Sequence, residues 1–302
     1  MASPQSLFCI SLEVICFFGL IILSAVLNEF IYLRVGGLQP FKRGFFCNDM
    51  SIQKPLLKDS VPFEAVIGIG VTFTLFMIVS LECGNQLTKP RREGNAEDEE
   101  WDDKKLGSVV IPSWIIRMLH RMAVFLYGIP LLFLIFNVVS VMTGRLTPNF
   151  LAVCKPNTTL FDCNEGYITK DVCTGDALDV KRARLSFPSV NTLVAMYCMV
   201  FVALSLQAAE CLSRTKLLRT ALQVAAILGA LAVGMSRVKD YSHHWSDVAA
   251  GVILGSAAAW LLATKVCGLF DVSKHSLKPY SLLRLDNDAD EEREGLTRKS
   301  MR

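Results

Sequence analysis

The segment Ser236-Arg237-Val238-Lys239-Asp240-Tyr241-Ser242-His243-His244-Trp245-Ser246-Asp247 holds two of the chain's four histidines, with an arginine and an aspartate beside them. His243 and Asp247 are four residues apart, a spacing that on a helix sets both on one side within contact distance. A carboxylate bonded to one ring nitrogen of an imidazole fixes its tautomer and leaves the other nitrogen nucleophilic. Arg237 adds a planar, permanently charged fork whose donors match phosphate oxygens. Such a set can attack a phosphate ester. Spacing alone leaves a second reading open, a polar hairpin at a membrane surface whose charges face water.

The elements that must position these residues are membrane spans. The 302-residue chain is 52% hydrophobic and 20% charged, with a mean hydropathy of +0.40, which is too apolar for a water-soluble surface. Thirty-one basic residues against 28 acidic ones give a net charge of +3, too balanced for a nucleic-acid binder. Apolar runs long enough to cross a hydrocarbon core fall at about 8–27, 65–81, 122–143, 192–209, 217–235 and 248–270. Pro130 sits inside the third and is tolerated there as a kink. The first run has no basic flank and exceeds the length of a cleavable signal core, so it reads as an anchor. The fold class expected is all-α, a six-span transmembrane helical bundle over 8–270, with segment 1–7 before it and an acidic and basic tail, 271–302, after it.

Six spans put both termini on one side. With both termini cytoplasmic, 18 of the 31 basic residues lie inside, a modest positive-inside bias. Cysteines and a sequon agree with it. Cys47, Cys154, Cys163 and Cys173 fall in the first and third connecting loops, both on the outer side, where an oxidising compartment favours disulfides. Four cysteines allow three connectivities; at least one bridge is expected, with Cys154 joined to Cys163 or Cys173. Asn157-Thr158-Thr159 in the third loop is an N-glycosylation sequon. The acidic runs EGNAEDEEWDDKK and DNDADEEREG read as solvated segments.

SRVKDYSHHWSDVAAG resembles the third signature motif of the lipid phosphate phosphatase (type 2 phosphatidic acid phosphatase) superfamily: Ser-Arg, five residues, His, three residues, Asp. Relatives of its other two motifs stand where that family carries them, Gly144–Leu151 (GRLTPNFL) after the third span and Ala183–Asn191 (ARLSFPSVN) before the fourth. The resemblance runs from roughly Phe45 to Phe270. It implies that His243 is the nucleophile that forms a phosphohistidine, Asp247 its orienting carboxylate and Arg237 a phosphate ligand.

The other two motifs depart from the family pattern. Their clamp lysine falls on Ser140 and their arginine on Thr147. Ser-Gly-His becomes Ser189-Val190-Asn191, so the histidine that protonates the leaving alcohol is Asn191, which has no titratable proton. Val190 brings a branched side chain where bare backbone should approach phosphate. Ser189 is expected to cap the fourth span, whose helix N-terminus favours an anion. Arg145, Lys181, Arg182 and Arg184 lie close by in sequence as candidates to replace part of the lost positive charge, with loop solubility and lipid-headgroup contact as their plainer reading.

The degraded motifs are most similar to the phospholipid phosphatase-related, or plasticity-related, branch, six-span plasma-membrane proteins regarded as lacking ordinary phosphatase activity. That branch has generally lost the histidine that His243 retains. The resemblance implies a protein that binds membrane lipids of the lysophospholipid or phosphatidate type and works through signalling partners. Those partners include homo- or hetero-oligomers with related six-span proteins; no nucleic acid, cofactor or metal is implied. The rival is a working phosphatase of phosphatidate, lysophosphatidate or sphingosine-1-phosphate. A channel or transporter is disfavoured, because the spans hold few ionisable groups to line a path.

Overall fold

A computed structural model describes residues 4–32, 39–88, 104–106 and 109–270. Most of the acidic run between the second and third spans, the whole tail 271–302 and the first three residues of segment 1–7 lie outside the described residues. Among the described residues, six helices are long and apolar enough to cross a membrane. They are α1 (Pro4–Tyr32), α2 (Phe63–Thr88), α3 (Ser113–Thr143), α6 (Val190–Ala208), α7 (Lys216–Lys239) and α8 (Trp245–Leu261), the last prolonged by a π-turn over Leu262–Val266. Two short helices, α4 (Phe150–Cys154) and α5 (Ala177–Arg182), lie between α3 and α6.

The helices agree with the six apolar runs, and their ends differ from them by a few residues to about nine. α3 begins at Ser113 rather than near 122, because Trp114–Arg121 continues the helix with Arg117, His120 and Arg121, residues that a search for apolar runs leaves out. It passes through Pro130 unbroken. α8 with its π-turn stops at Val266, ahead of Gly268 in the left-handed region at φ 63°. Among the described residues, strand is confined to two antiparallel pairs, β1 (Phe45–Phe46) with β4 (Tyr167–Ile168) and β2 (Lys104–Leu106) with β3 (Val109–Ile111).

The chain falls into two compact units, Leu23–Leu269 and a second made of Met1–Ile22 with Phe270–Arg302. Within the second unit, the described part of α1 carries exposed Leu12, Ile15, Phe18 and Ile22, side chains suited to hydrocarbon. Everything that follows lies in the first unit. Its axis is α6, apolar on all sides, with Leu193, Val194, Tyr197, Cys198 and Phe201 fully buried against α2, α7 and α8. Tyr197 stacks on Phe125 and donates to the Phe125 carbonyl at 2.8 Å, so the buried hydroxyl is satisfied.

α8 meets α6 through Gly251 and Gly255, one turn apart. A Cβ on Gly251 would lie 2.8 Å from the Ser189 carbonyl oxygen, and one on Gly255 would run into the Leu193 carbonyl. This small-residue contact lets the two backbones approach, as in membrane helix pairs generally. It brings the start of α6 against the start of α8, where the Ser189 amide donates to the Asp247 carbonyl at 3.0 Å.

At that same end, loops fold into a small subdomain around Phe45, Ile52, Leu146, Phe150, Ile168 and Val172. Disulfides join Cys47 to Cys163 and Cys154 to Cys173, so all four loop cysteines are paired and the first connecting loop is tied to the third. At the opposite end of the bundle, Glu82 of α2 forms a buried ion pair with Arg121 of α3, and the side-chain Oδ1 of Asn85 accepts from the Cys211 amide at 3.0 Å.

Candidate active site

The hairpin between α7 and α8 carries the site. α7 ends at Lys239, and the carbonyl of Arg237 accepts from the amides of Ser242 at 3.0 Å and His243 at 3.2 Å. Tyr241, in the left-handed region at φ 55°, makes this reversal; a non-glycine residue held there is strained, and such residues gather at functional sites. α8 then starts at Trp245 with His244 as its N-cap, in a capping box with Asp247.

This local structure corrects the expected pairing of His243 with Asp247. His243 precedes the helix, so the four-residue helical spacing does not apply, and its Nδ1 lies 4.0 Å from the Asp247 carboxylate. Nδ1 instead meets the carbonyl oxygen of Ser186 at 2.8 Å. A carbonyl can only accept, so Nδ1 carries the proton and Nε2 keeps its lone pair. Burial pushes the imidazole below its ordinary value, and nearby Arg237 adds to this against the raising effects of the Ser186 carbonyl and Asp247. The ring is therefore neutral near pH 7.

Asp247 is an organiser of the surrounding chain. Fully buried, it accepts from Ser186 Oγ at 2.6 Å, Arg145 Nη1 at 2.7 Å and the His244 amide at 2.9 Å, with His244 Nδ1 at 3.3 Å. It thus ties together all three motif segments, and Ser186 serves both groups, its carbonyl on His243 and its hydroxyl on Asp247. Arg145 also donates to Ser246 Oγ at 2.8 Å. Ser186 is marked in the sequence only as a neighbour of the motif positions, and Arg145 only as a source of replacement charge.

Arg237 is buried at the foot of the hairpin, and its guanidinium is held by two carboxylates, Asp59 and Asp240, each at 3.0 Å. Its Nε finds no acceptor among the described residues. Burial raises the Asp240 carboxyl, but the Ser60 hydroxyl and amide and the Arg237 charge outweigh it and hold the group below its ordinary value. Asp59, in the loop that leads into α2, had no motif to mark it.

A cavity of about 930 Å³ opens beside this centre. His243, Ser242, Asn191, Thr147 and Asp59 are among its polar lining residues, and Phe63, Phe133 and Phe136 among its apolar ones. Lys155, Arg182, Asp176 and Asp179 supply charges of both signs nearer the loops. Asn191 is buried, and its Nδ2 donor has no acceptor among the described residues.

The remaining sequence candidates divide. Thr147 reaches the cavity, with its hydroxyl on Asn149 Oδ1 at 2.7 Å. Ser140 does not: fully buried in α3, it turns its hydroxyl toward the Asn137 carbonyl at 3.3 Å. Ser189 stands at the N-cap of α6 but makes no side-chain cap bond, taking the Thr192 hydroxyl at 3.0 Å instead, which corrects the expected cap. Arg184 packs on the Phe150 ring and donates to the Arg43 carbonyl at 3.0 Å, a loop contact. Asn157 Oδ1 accepts from the amide and hydroxyl of Thr159 at 3.0 and 2.8 Å. No group of three or more metal-ligating side chains occurs among the described residues.

Comparison with known proteins shows the family. No solved structure shows a significant match. The PAP2 superfamily matches residues 121–267. Phospholipid phosphatase 1 of Mus musculus is 37% identical over 239 residues, covering 79% of this chain and 80% of its own length. Phospholipid phosphatase 2 of Homo sapiens is 34% identical over 250 residues, covering 81% of each chain. Similarity of this extent, spanning all three motif segments, means that the chain belongs to the PAP2 superfamily, among relatives of the phospholipid phosphatases.

Proposed function

We propose that this membrane protein binds the headgroup of phosphatidate- or lysophosphatidate-type lipids, turns it over slowly or not at all, and acts through signalling partners. The observation that carries the reading is the makeup of the cavity. Its lining includes both His243 and Asn191, whose buried Nδ2 lacks an acceptor among the described residues, together with the rings of Phe63, Phe133 and Phe136. A buried donor without an acceptor is costly, and a phosphate oxygen would satisfy it. An acyl chain suits the rings. The relatives named phospholipid phosphatases support a phosphorylated lipid as the ligand.

Weak catalysis follows from Asn191 itself. A departing lipid alkoxide needs a proton, and an amide has none to give. Loss of a general acid lowers rates by about 10²–10⁴. The second reading, a working phosphatase, is favoured by one observation, the tautomer of His243 set by Ser186. Its Nε2 lone pair would form an N–P bond as the ester P–O bond breaks. The alkoxide would take its proton from water, and a second water would then release inorganic phosphate and restore the imidazole.

The orientation proposed sets the site-bearing end at the outer face of the plasma membrane, with both termini cytoplasmic. The loop disulfides and the sequon at Asn157 support it. The functional test is phosphate release from short-chain lysophosphatidate by purified full-length protein, beside an equal amount of mouse phospholipid phosphatase 1. Turnover at least a hundredfold slower is expected. Equal turnover that His243→Ala abolishes would establish the second reading.

A further inference from the structure

We infer that Asp59 determines what this site accepts: its carboxylate occupies the seat on Arg237 that an incoming phosphate would take, so a lipid phosphate must displace an internal anion. The inference rests on the lipid-phosphate reading above.

The two carboxylates on Arg237 are not equivalent. Asp240 comes from the same hairpin, three residues on, and its side chain is only 4% exposed. Ser60 fixes it further, donating from its amide at 2.6 Å and its hydroxyl at 2.7 Å. This pair is a permanent part of the hairpin. Asp59 arrives from a distant loop, is 48% exposed and forms part of the cavity wall. It takes Arg237 Nη1 at 3.0 Å and the Ser242 hydroxyl at 3.0 Å. A cationic fork and a hydroxyl beside His243 are the donors a phosphate monoester would seek.

Exposure decides which carboxylate can leave. A half-exposed carboxylate returns to water at little cost, whereas a buried one is expensive to free from its partner. Asp59 is therefore the exchangeable occupant and Asp240 the fixed one. With Asp59 in place, a second anion meets like-charge repulsion and finds the outward nitrogen of Arg237 already engaged. The Ser60–Asp240 bonds act as the latch that returns Asp59 to its seat.

The test is a thermal-shift titration of full-length protein in detergent, with inorganic phosphate and with short-chain lysophosphatidate as separate probes. Each variant is read against its own ligand-free melting temperature. Asp59→Asn keeps the shape and removes the charge; it is expected to lower the half-saturating concentration of both probes about tenfold. Ser60→Ala, which removes one latch bond, should move it in the same direction. Glu64→Gln removes a cavity-wall carboxylate that is not on Arg237 and should give a markedly smaller gain. Unchanged or weaker binding by Asp59→Asn, with the unmodified protein binding normally, would overturn the inference and leave the lipid-phosphate reading standing. Equal gains from Asp59→Asn and Glu64→Gln would overturn it too, by assigning the effect to general charge. Absence of binding by every form would overturn both readings.

Discussion

The His243 ring is held by a backbone carbonyl, and a neutral acceptor stabilises an imidazolium far less than a carboxylate would. Burial therefore prevails, and the ring titrates below its ordinary value. The sign of the consequence is fixed. Above pH of about 6.5 the ring is neutral in both folded and unfolded chains, and stability is insensitive to it. As pH falls from there through the lowered folded value, the unfolded chain takes up the proton first and folded stability is lost. His243→Asn retains an N–H donor for the Ser186 carbonyl and removes the titration. Melting temperatures measured from pH 8 to pH 5 should therefore fall more steeply for the unmodified protein, the difference growing toward the acid end. Parallel curves would mean that His243 titrates normally. Asp240 does not confuse this window, because its carboxyl is held below its ordinary value and ionises at lower pH.

Among the elements, the contact of α6 with α8 controls the site most directly. Gly251 and Gly255 let α8 lie close enough for the Ser189 amide to reach the Asp247 carbonyl, which aligns the second and third motif segments. A side chain at Gly255 must push α8 away from the Leu193 carbonyl. Gly255→Leu is expected to cost about 1–3 kcal/mol through overpacking. It should also weaken phosphate binding, because Ser186 would no longer meet both His243 and Asp247. Gly255→Ala should move both readouts the same way by less. Thermal melting and phosphate titration of the two variants in detergent check this, and a stable Gly255→Leu protein with unaltered binding would contradict the account.

For the whole molecule, the question is which way the site faces. The loop subdomain ties β1 to β4, and its Cys47–Cys163 bridge joins the first connecting loop to the third, so both loops share one end of the bundle with His243. An outward-facing site then requires a glycan at Asn157 and cytoplasmic termini. Glycosidase treatment should increase gel mobility, and Asn157→Gln should abolish that shift. Epitope tags at either end should be labelled only after the plasma membrane is permeabilised. A tag reached on intact cells would refute the orientation.

The sequence by itself determined the six spans, because hydrocarbon admits only long apolar helices and their lengths are set by its thickness. It also marked His243, Asp247 and Arg237 as candidates, since the third motif is contiguous and its hairpin is local. The boundaries of α3 were less legible, because Arg117, His120 and Arg121 continue a helix whose apolar signal begins later. Tertiary structure alone decided the partners. Four residues separate His243 from Asp247, yet the ring turns to Ser186, 57 residues away, because the helix starts only after His243. Arg145 reaches Asp247 across 102 residues, and Ser60 reaches Asp240 across 180. Asp59 comes from the same distant loop to sit on Arg237. Such contacts depend on which helices pack together, and local spacing carries no information about them. The apolar pattern specified where the chain is buried, and the packing of α6 on α8 specified which polar groups meet there.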